Sequence, residues 1–193
     1  MKVAIIKYNA GNVQSLTFAL NRLGISPVLT DSPEELLSAD KVIFPGVGEA
    51  STAMNYLTQN QLDVVIKDIK QPFLGVCLGL QLMCKHTEEN DTDCLGIFDL
   101  EVKKFDPTEK VPHMGWNTIT NLKGPLFHDV ADASYLYFVH SYYAVMDETT
   151  IASCGYANPF SAALHRDNFY AVQAHPEKSS ATGQKILENF LQL

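Results

Sequence analysis

Cys77 sits between two glycines, in Gly75-Val76-Cys77-Leu78-Gly79. An apolar run from Pro72 leads into it, and Leu80, Leu82 and Met83 lead out as the start of a helix. A strand that turns sharply into a helix holds its middle residue in a strained conformation, where bulky neighbours would clash. The pattern is the thiol counterpart of the G-x-S-x-G turn on which hydrolases mount a serine. Its chemistry would be nucleophilic, because a helix N-terminus offers N–H groups and partial positive charge that favour thiolate. A buried cysteine between two turn glycines is the plainer reading of the same residues. Cys84, Cys94 and Cys154 have no such setting and read as packing residues.

A thiolate that attacks an amide needs a group to move protons. Six histidines are available, His86, His113, His128, His140, His165 and His175. Only His175 follows a strand-like segment, Phe169 to Gln173, directly in a compact polar turn, Ala174-His175-Pro176-Glu177-Lys178-Ser179. Glu177 can hold the imidazole in one tautomer and support its charge. Pro176 restricts the turn between them. Taken alone, a surface histidine beside a loop glutamate accounts for the turn as well.

These groups need a scaffold. Val3 to Lys7, Ser26 to Thr30, Lys41 to Phe44 and Pro72 to Val76 read as short buried strands. Helical signals separate them: Val13, Leu16, Leu20 and Leu23 with Gly24 beyond, Ser32-Pro33 as a helix start, and helical segments over residues 50–69. Such alternation predicts an α/β fold with an open, mostly parallel central sheet flanked by helices, flavodoxin-like. Further strands at residues 100–105, 135–139, 142–146, 161–165 and 169–173 predict antiparallel strands in the second half, added to the sheet or forming a small second one. Residues 181–193 predict a closing helix with Ile186, Leu187, Phe190 and Leu191 on its apolar face. With no repeat or linker, residues 1–193 read as one domain.

Composition narrows the chemistry. Fourteen Lys and Arg against 22 Asp and Glu give a net charge of −8, a poor match to nucleic acid. No apolar run approaches the ~20 residues of a membrane helix, and no signal peptide is visible after Met1-Lys2. The cysteine spacing contains no C-x-x-C, and no His/Cys/carboxylate spacing suggests a metal. The thiols read as reduced, in a cytoplasmic protein.

Together, GVCLG and HPEKS resemble the class I, or triad, glutamine amidotransferases. Tyr8-Asn9-Ala10-Gly11-Asn12, Pro45-Gly46-Val47-Gly48, KVPHMGWN (residues 110–117) and YFVHSYY (residues 137–143) resemble one branch of them, the glutaminase subunits of imidazole glycerol phosphate synthase. The resemblance spans essentially the whole chain. It implies hydrolysis of L-glutamine without a cofactor, with Cys77 as nucleophile, His175 as acid and base, and Glu177 orienting His175. It implies an oxyanion hole from Leu78 N–H and an N–H of Val47 or Gly48, where glycines permit a peptide flip. Gly46, Gln81, Ser141 and Tyr142 would meet substrate, although ordinary strand packing also explains Ser141 and Tyr142. Ammonia would pass to a (β/α)8-barrel cyclase partner, HisF, which turns PRFAR into imidazole glycerol phosphate and AICAR in histidine biosynthesis. Asn12, Trp116 and Tyr137 would contact that partner; a core role is the other reading of Trp116. Ending at Leu193, the chain would be a separate subunit, not a fused one.

Two departures from the family pattern stand out. Ala174 replaces the usual large aromatic before the histidine, so another side chain must fill that space or a cavity remains. Glu49-Ala50 follows PGVG in place of the commoner Ala-Phe. A sister triad amidotransferase of anthranilate, purine or vitamin synthesis, or a non-catalytic partner-binding subunit, are the alternatives.

Overall fold

A computed structural model describes residues 1–8 and 13–193; Asn12 therefore lies outside the described residues. In chain order the first half alternates: β1 (Val3–Ile6), α1 (Gln14–Arg22), β2 (Val28–Thr30), α2 (Pro33–Leu37), β3 (Lys41–Phe44), α3 (Ala50–Gln59), α4 (Leu62–Asp68), β4 (Phe73–Val76) and α5 (Leu78–Met83). The second half is mainly strand: β5 (His86–Thr87), β6 (Thr92–Asp93), β7 (Glu101–Lys104), β8 (His113–Ile119), β9 (Ser134–His140), β10 (Tyr142–Ala144), β11 (Thr150–Tyr156), β12 (Asn158–Arg166) and β13 (Phe169–Val172), closed by α6 (Ser180–Gln192).

The central sheet has seven strands in the order β11-β12-β13-β4-β3-β1-β2. From β13 to β2 the neighbours run parallel, and β11 and β12 add antiparallel strands at one edge. The predicted mixed α/β sheet is therefore present. Alternation along each strand feeds two cores. Val3 and Ile5 join Leu16, Leu20 and Phe190 on one face, while Ala4 and Ile6 join Leu57, Ile66 and Leu80 on the other. A four-stranded sheet, β10-β7-β5-β6, and a two-stranded ribbon, β8-β9, complete the fold.

Local chemistry explains the boundaries. Ser32 caps α2 by accepting from the Glu35 amide, with Pro33 in the first turn. The helical segments expected over residues 50–69 are α3 and α4, separated where Gln61 takes a left-handed conformation with φ 57°. Glu49 explains one departure from the family pattern. As N-cap of α3 its carboxylate accepts from the Ser51 and Thr52 amides at 2.7 and 3.0 Å. Burial opposes its charge, but the bonds from Thr52 and Ser51 prevail and lower its pKa to about 2. Ala174, the other departure, is fully buried in the same core cluster as Phe138, Ile186 and Phe190. Among the described residues, no helix is long and apolar enough to cross a membrane.

Candidate active site

The cysteine elbow follows from how β4 ends. β4 and β13 are parallel with Val76 opposite Val172, and the Cys77 amide donates to the Val172 carbonyl at 2.8 Å. Pairing thus persists one residue past the strand. Cys77 then turns to φ 52°, ψ −107°, and Leu78 opens α5. A non-glycine residue in that region of backbone space is strained and persists only where its surroundings enforce it. Here the enforcement is backbone against backbone. Gly79 lies on the Phe44 carbonyl, and Gly46 lies on the Leu78 and Gly79 amides. The loop after β3 is pinned in turn by the Tyr8 hydroxyl, which donates to the Pro45 carbonyl. Burial, and secondarily the neighbouring Cys77, push the Tyr8 phenol far above its ordinary pKa, so it remains a donor.

His175 leaves the same sheet edge from β13 and is 2% exposed. Its Nδ1 lies 2.9 Å from Glu177 Oε1. A clamp on β9 fixes the turn. The His175 amide donates to the Tyr137 carbonyl, the Tyr137 amide donates to Ser179 Oγ, and the Ser179 hydroxyl donates to the His175 carbonyl, at 2.9, 2.9 and 2.6 Å. Burial disfavours a charged His175, yet Cys77 and Glu177 outweigh it and raise its pKa. Cys77 is thus close enough to act strongly on the imidazole, but His175 Nε2 completes no hydrogen bond. Among the described residues, Nε2 and Glu177 Oε2 are the buried side-chain polar atoms without a partner. An orphaned buried nitrogen is costly and calls for a functional explanation.

Cys77 and His175 open onto a pocket of about 310 Å³. Gly46, Val47, Gly48, Leu78, Gln81, Ser141 and Tyr142 line that pocket, while Glu177 stands behind His175. Trp116 and Tyr137 lie elsewhere, opposite each other on the β8-β9 ribbon with ring centroids 6.1 Å apart. Trp116 is 52% exposed, which removes the reading of a core tryptophan.

Sequence reasoning missed several pocket groups. Glu89, in the turn between β5 and β6, lines the pocket and accepts from the Ala50 amide at 2.8 Å. Burial raises its pKa, the Ala50 bond opposes this, and Glu49 adds to the rise. No local pattern marks it. His140 also lines the pocket and belongs to a buried relay. His140 Nδ1 lies 2.7 Å from the Tyr142 carbonyl, so it must carry the proton. His140 Nε2 is then an acceptor, 3.0 Å from His113 Nδ1, and His113 Nε2 accepts from Asn117 at 3.2 Å. Aromatic rings of Phe105, Phe138 and Phe160 surround the pair.

Both relay histidines are held neutral. Burial lowers His113 to about 4, and burial, outweighing the Tyr142 bond, lowers His140 to about 3. Unfolded, each titrates near pH ~6.5. Protons then bind the unfolded chain in preference, so the stability present above pH ~6.5 is lost as pH falls toward the folded values. Urea unfolding should show a loss of roughly 2–4 kcal/mol between pH 7 and 5, above the main carboxylate range. A flat profile over that window contradicts the neutral relay.

Among the described residues, no group of three or more His, Cys, Asp or Glu is arranged to hold a metal ion. The chemistry on offer is a thiol nucleophile, an imidazole with a carboxylate behind it, and backbone amides around a small pocket.

Comparison with known proteins places the chain in a family. The family described as Glutamine amidotransferase class-I matches residues 4–193. The imidazole glycerol phosphate synthase subunit HisH of Bacteroides fragilis (strain YCH46) is 58% identical, with all of both chains covered. That of Vibrio parahaemolyticus is 44% identical, over 100% of this chain and 98% of its own. Among solved structures, a putative GMP synthase protein from Thermoplasma acidophilum superposes with TM-score 0.77 at 19% identity, over 100% of this chain and 93% of that one. A second, a glutamine amidotransferase, gives 0.74 at 18% identity, over 100% and 98%; both speak to the fold alone. The chain belongs to the class-I glutamine amidotransferases and, within them, to the HisH subunits of imidazole glycerol phosphate synthase.

Proposed function

We propose that this glutamine amidotransferase hydrolyses L-glutamine at Cys77 and delivers the ammonia to a (β/α)8-barrel cyclase, HisF. The observation that carries the reading is the meeting of Cys77, held on its strained elbow, with the partnerless Nε2 of a carboxylate-backed His175 on one pocket. Cys77 thiolate attacks the carboxamide carbon, and the oxyanion forms between the Leu78 amide and an amide of Val47 or Gly48. His175 protonates the leaving nitrogen as the C–N bond breaks, which leaves a glutamyl thioester and ammonia. It then takes a proton from water, whose oxygen attacks the thioester; glutamate leaves and the thiolate returns. Glu177 holds the imidazole in the working tautomer throughout.

Gly46, Gln81, Ser141 and Tyr142 shape the substrate's seat. Glu89 is the carboxylate on the pocket wall suited to an α-ammonium group. The β8-β9 ribbon supports a docking role, since Met114, Trp116 and Tyr135 are each more than half exposed. Exposed apolar clusters of this kind mark interaction surfaces. Asn12, Trp116 and Tyr137 are proposed to contact the cyclase. The cyclase would use the ammonia to convert PRFAR to imidazole glycerol phosphate and AICAR.

Glutamate release by the isolated chain should be slow, and barrel cyclase with its nucleotide ligand should raise it by at least about 100-fold. Trp116→Glu should weaken the complex tenfold or more, because a charge would replace an aromatic anchor. Fast hydrolysis by the chain alone, unchanged by the cyclase, contradicts the reading.

A further inference from the structure

We propose that Gln173 is a further catalytic residue: its side-chain amide donates a hydrogen bond to the Cys77 sulfur and holds it as thiolate. The proposal rests on the reading of Cys77 as nucleophile. Its basis is geometric. Val172 pairs with Val76, and the Cys77 amide bonds to the Val172 carbonyl, so β13 delivers Gln173 beside Cys77. Gln173 Nε2 lies 3.6 Å from Cys77 Sγ, within reach of sulfur as an acceptor. Gln173 is fully buried, so water does not compete for that donor.

Which end of the amide faces the sulfur follows from the surrounding carbonyl. The Tyr142 carbonyl can only accept, and it receives Gln81 Nε2 at 2.9 Å as well as His140 Nδ1. Gln81 must therefore present its NH2 group on that side. The same NH2 lies 3.1 Å from Gln173, so the facing Gln173 atom must be its oxygen. Two NH2 groups cannot donate to each other. Gln173 is left with its NH2 toward Sγ. The orientation is propagated from backbone carbonyls and does not depend on the protonation state of Cys77.

A backbone neighbour of the sulfur favours the opposite state. Sγ lies 3.8 Å from the Val139 carbonyl, which suits a thiol S–H and repels a thiolate. Gln173 offsets it. A hydrogen bond made to the charged form favours that form, and such bonds are stronger than neutral ones.

The pH dependence of Cys77 alkylation by iodoacetamide, measured on the full chain, tests this. Gln173→Met removes the donor at similar volume. It should move the alkylation midpoint up by about one pH unit. In the complex with the cyclase, glutaminase kcat should fall about tenfold, with KM changed less than threefold. An unmoved midpoint in a natively folded Gln173→Met chain, or a loss confined to KM, overturns the proposal. If the variant does not fold, the wild-type chain decides. With glutamine side chains labelled with ¹⁵N, one buried amide resonance should titrate with the Cys77 midpoint and lose that transition in Cys77→Ala. Absence of such a resonance overturns the proposal. Alkylation requires no glutamine, so failure of the Gln173 bond and failure of the glutaminase reading give separate results.

Discussion

Cys77→Ala is expected to abolish glutamine-dependent turnover of the complex, by more than about 10³-fold, and to leave turnover with added ammonium within about twofold. The asymmetry follows from where the side chain acts. Alanine keeps the Cβ, so the elbow's φ of 52° is under similar strain before and after the change. The neighbours that enforce the turn, Gly46 and Gly79, press on backbone atoms. What disappears is the atom that forms the thioester, and no other group on the pocket replaces it. The remaining cysteines do not substitute. Cys84 is buried in the core, and burial raises the pKa values of Cys84, Cys94 and Cys154. The readouts are glutamate release and imidazole glycerol phosphate formation with each nitrogen source. Loss of ammonium-dependent turnover as well would show that Cys77 supports the complex and not the hydrolysis. Residual glutaminase above about 10% would remove it from the chemistry. A chloroketone analogue of glutamine should label the wild-type chain at Cys77 alone, which also separates an active subunit from a non-catalytic one.

Gly79→Ala should have the second largest effect, and should act on fold and activity together. A Cβ at this position would fall far inside contact distance of the Phe44 carbonyl oxygen at the end of β3. That neighbour is backbone in the middle of the sheet and cannot swing aside. Relief requires β3 and the elbow to separate, which costs roughly 2–4 kcal/mol. It also moves Cys77 relative to the Gly46 loop, so kcat should fall more than the unfolded fraction explains. Gly75→Ala is the informative contrast. Its new Cβ would first meet the Met83 sulfur, the flexible end of a side chain, so the loss should be smaller. Gly155→Ala, with open space around it, should stay within about 0.5 kcal/mol. Urea denaturation with parallel glutaminase assays measures the series. Equal stabilities for Gly79→Ala and Gly155→Ala would remove close backbone approach as the reason for the elbow glycine.

The sequence is most legible where chemistry is local. Glycines two residues either side of Cys77, and a glutamate two residues after His175, put strand end, turn and partner in one short window. The first four parallel strands are legible for the same reason, being apolar runs bounded by turn formers. Legibility fails where pairing is long-range or the pattern is mixed. β8 (HMGWNTI) and β11 (TIASCGY) carry small and polar residues because they pair at ribbon and sheet edge, so neither reads as a clear strand. Gln81 reads as a substrate contact from its helix position, yet its amide hydrogens go to Tyr142 and Gln173, 61 and 92 residues away. His113 and His140 sit 27 residues apart, and neither carries a mark of the other. Ala174 stands out as a departure, while Gln173 beside it does not: one breaks the family pattern, the other acts only across the sheet.

The Tyr137 peptide has a consequence for how freely this chain can vary. Its side chain belongs to the outer ribbon opposite Trp116, while its N–H and C=O hold Ser179 and His175. One residue is thus both a piece of the outer relief and a hinge pin of the working loop. Reshaping the ribbon to fit a different neighbour would shift the pin, and retuning the loop would redraw the relief. On the docking role proposed for the ribbon, partner choice and catalytic alignment share the same few atoms, so neither can be edited without proofreading the other.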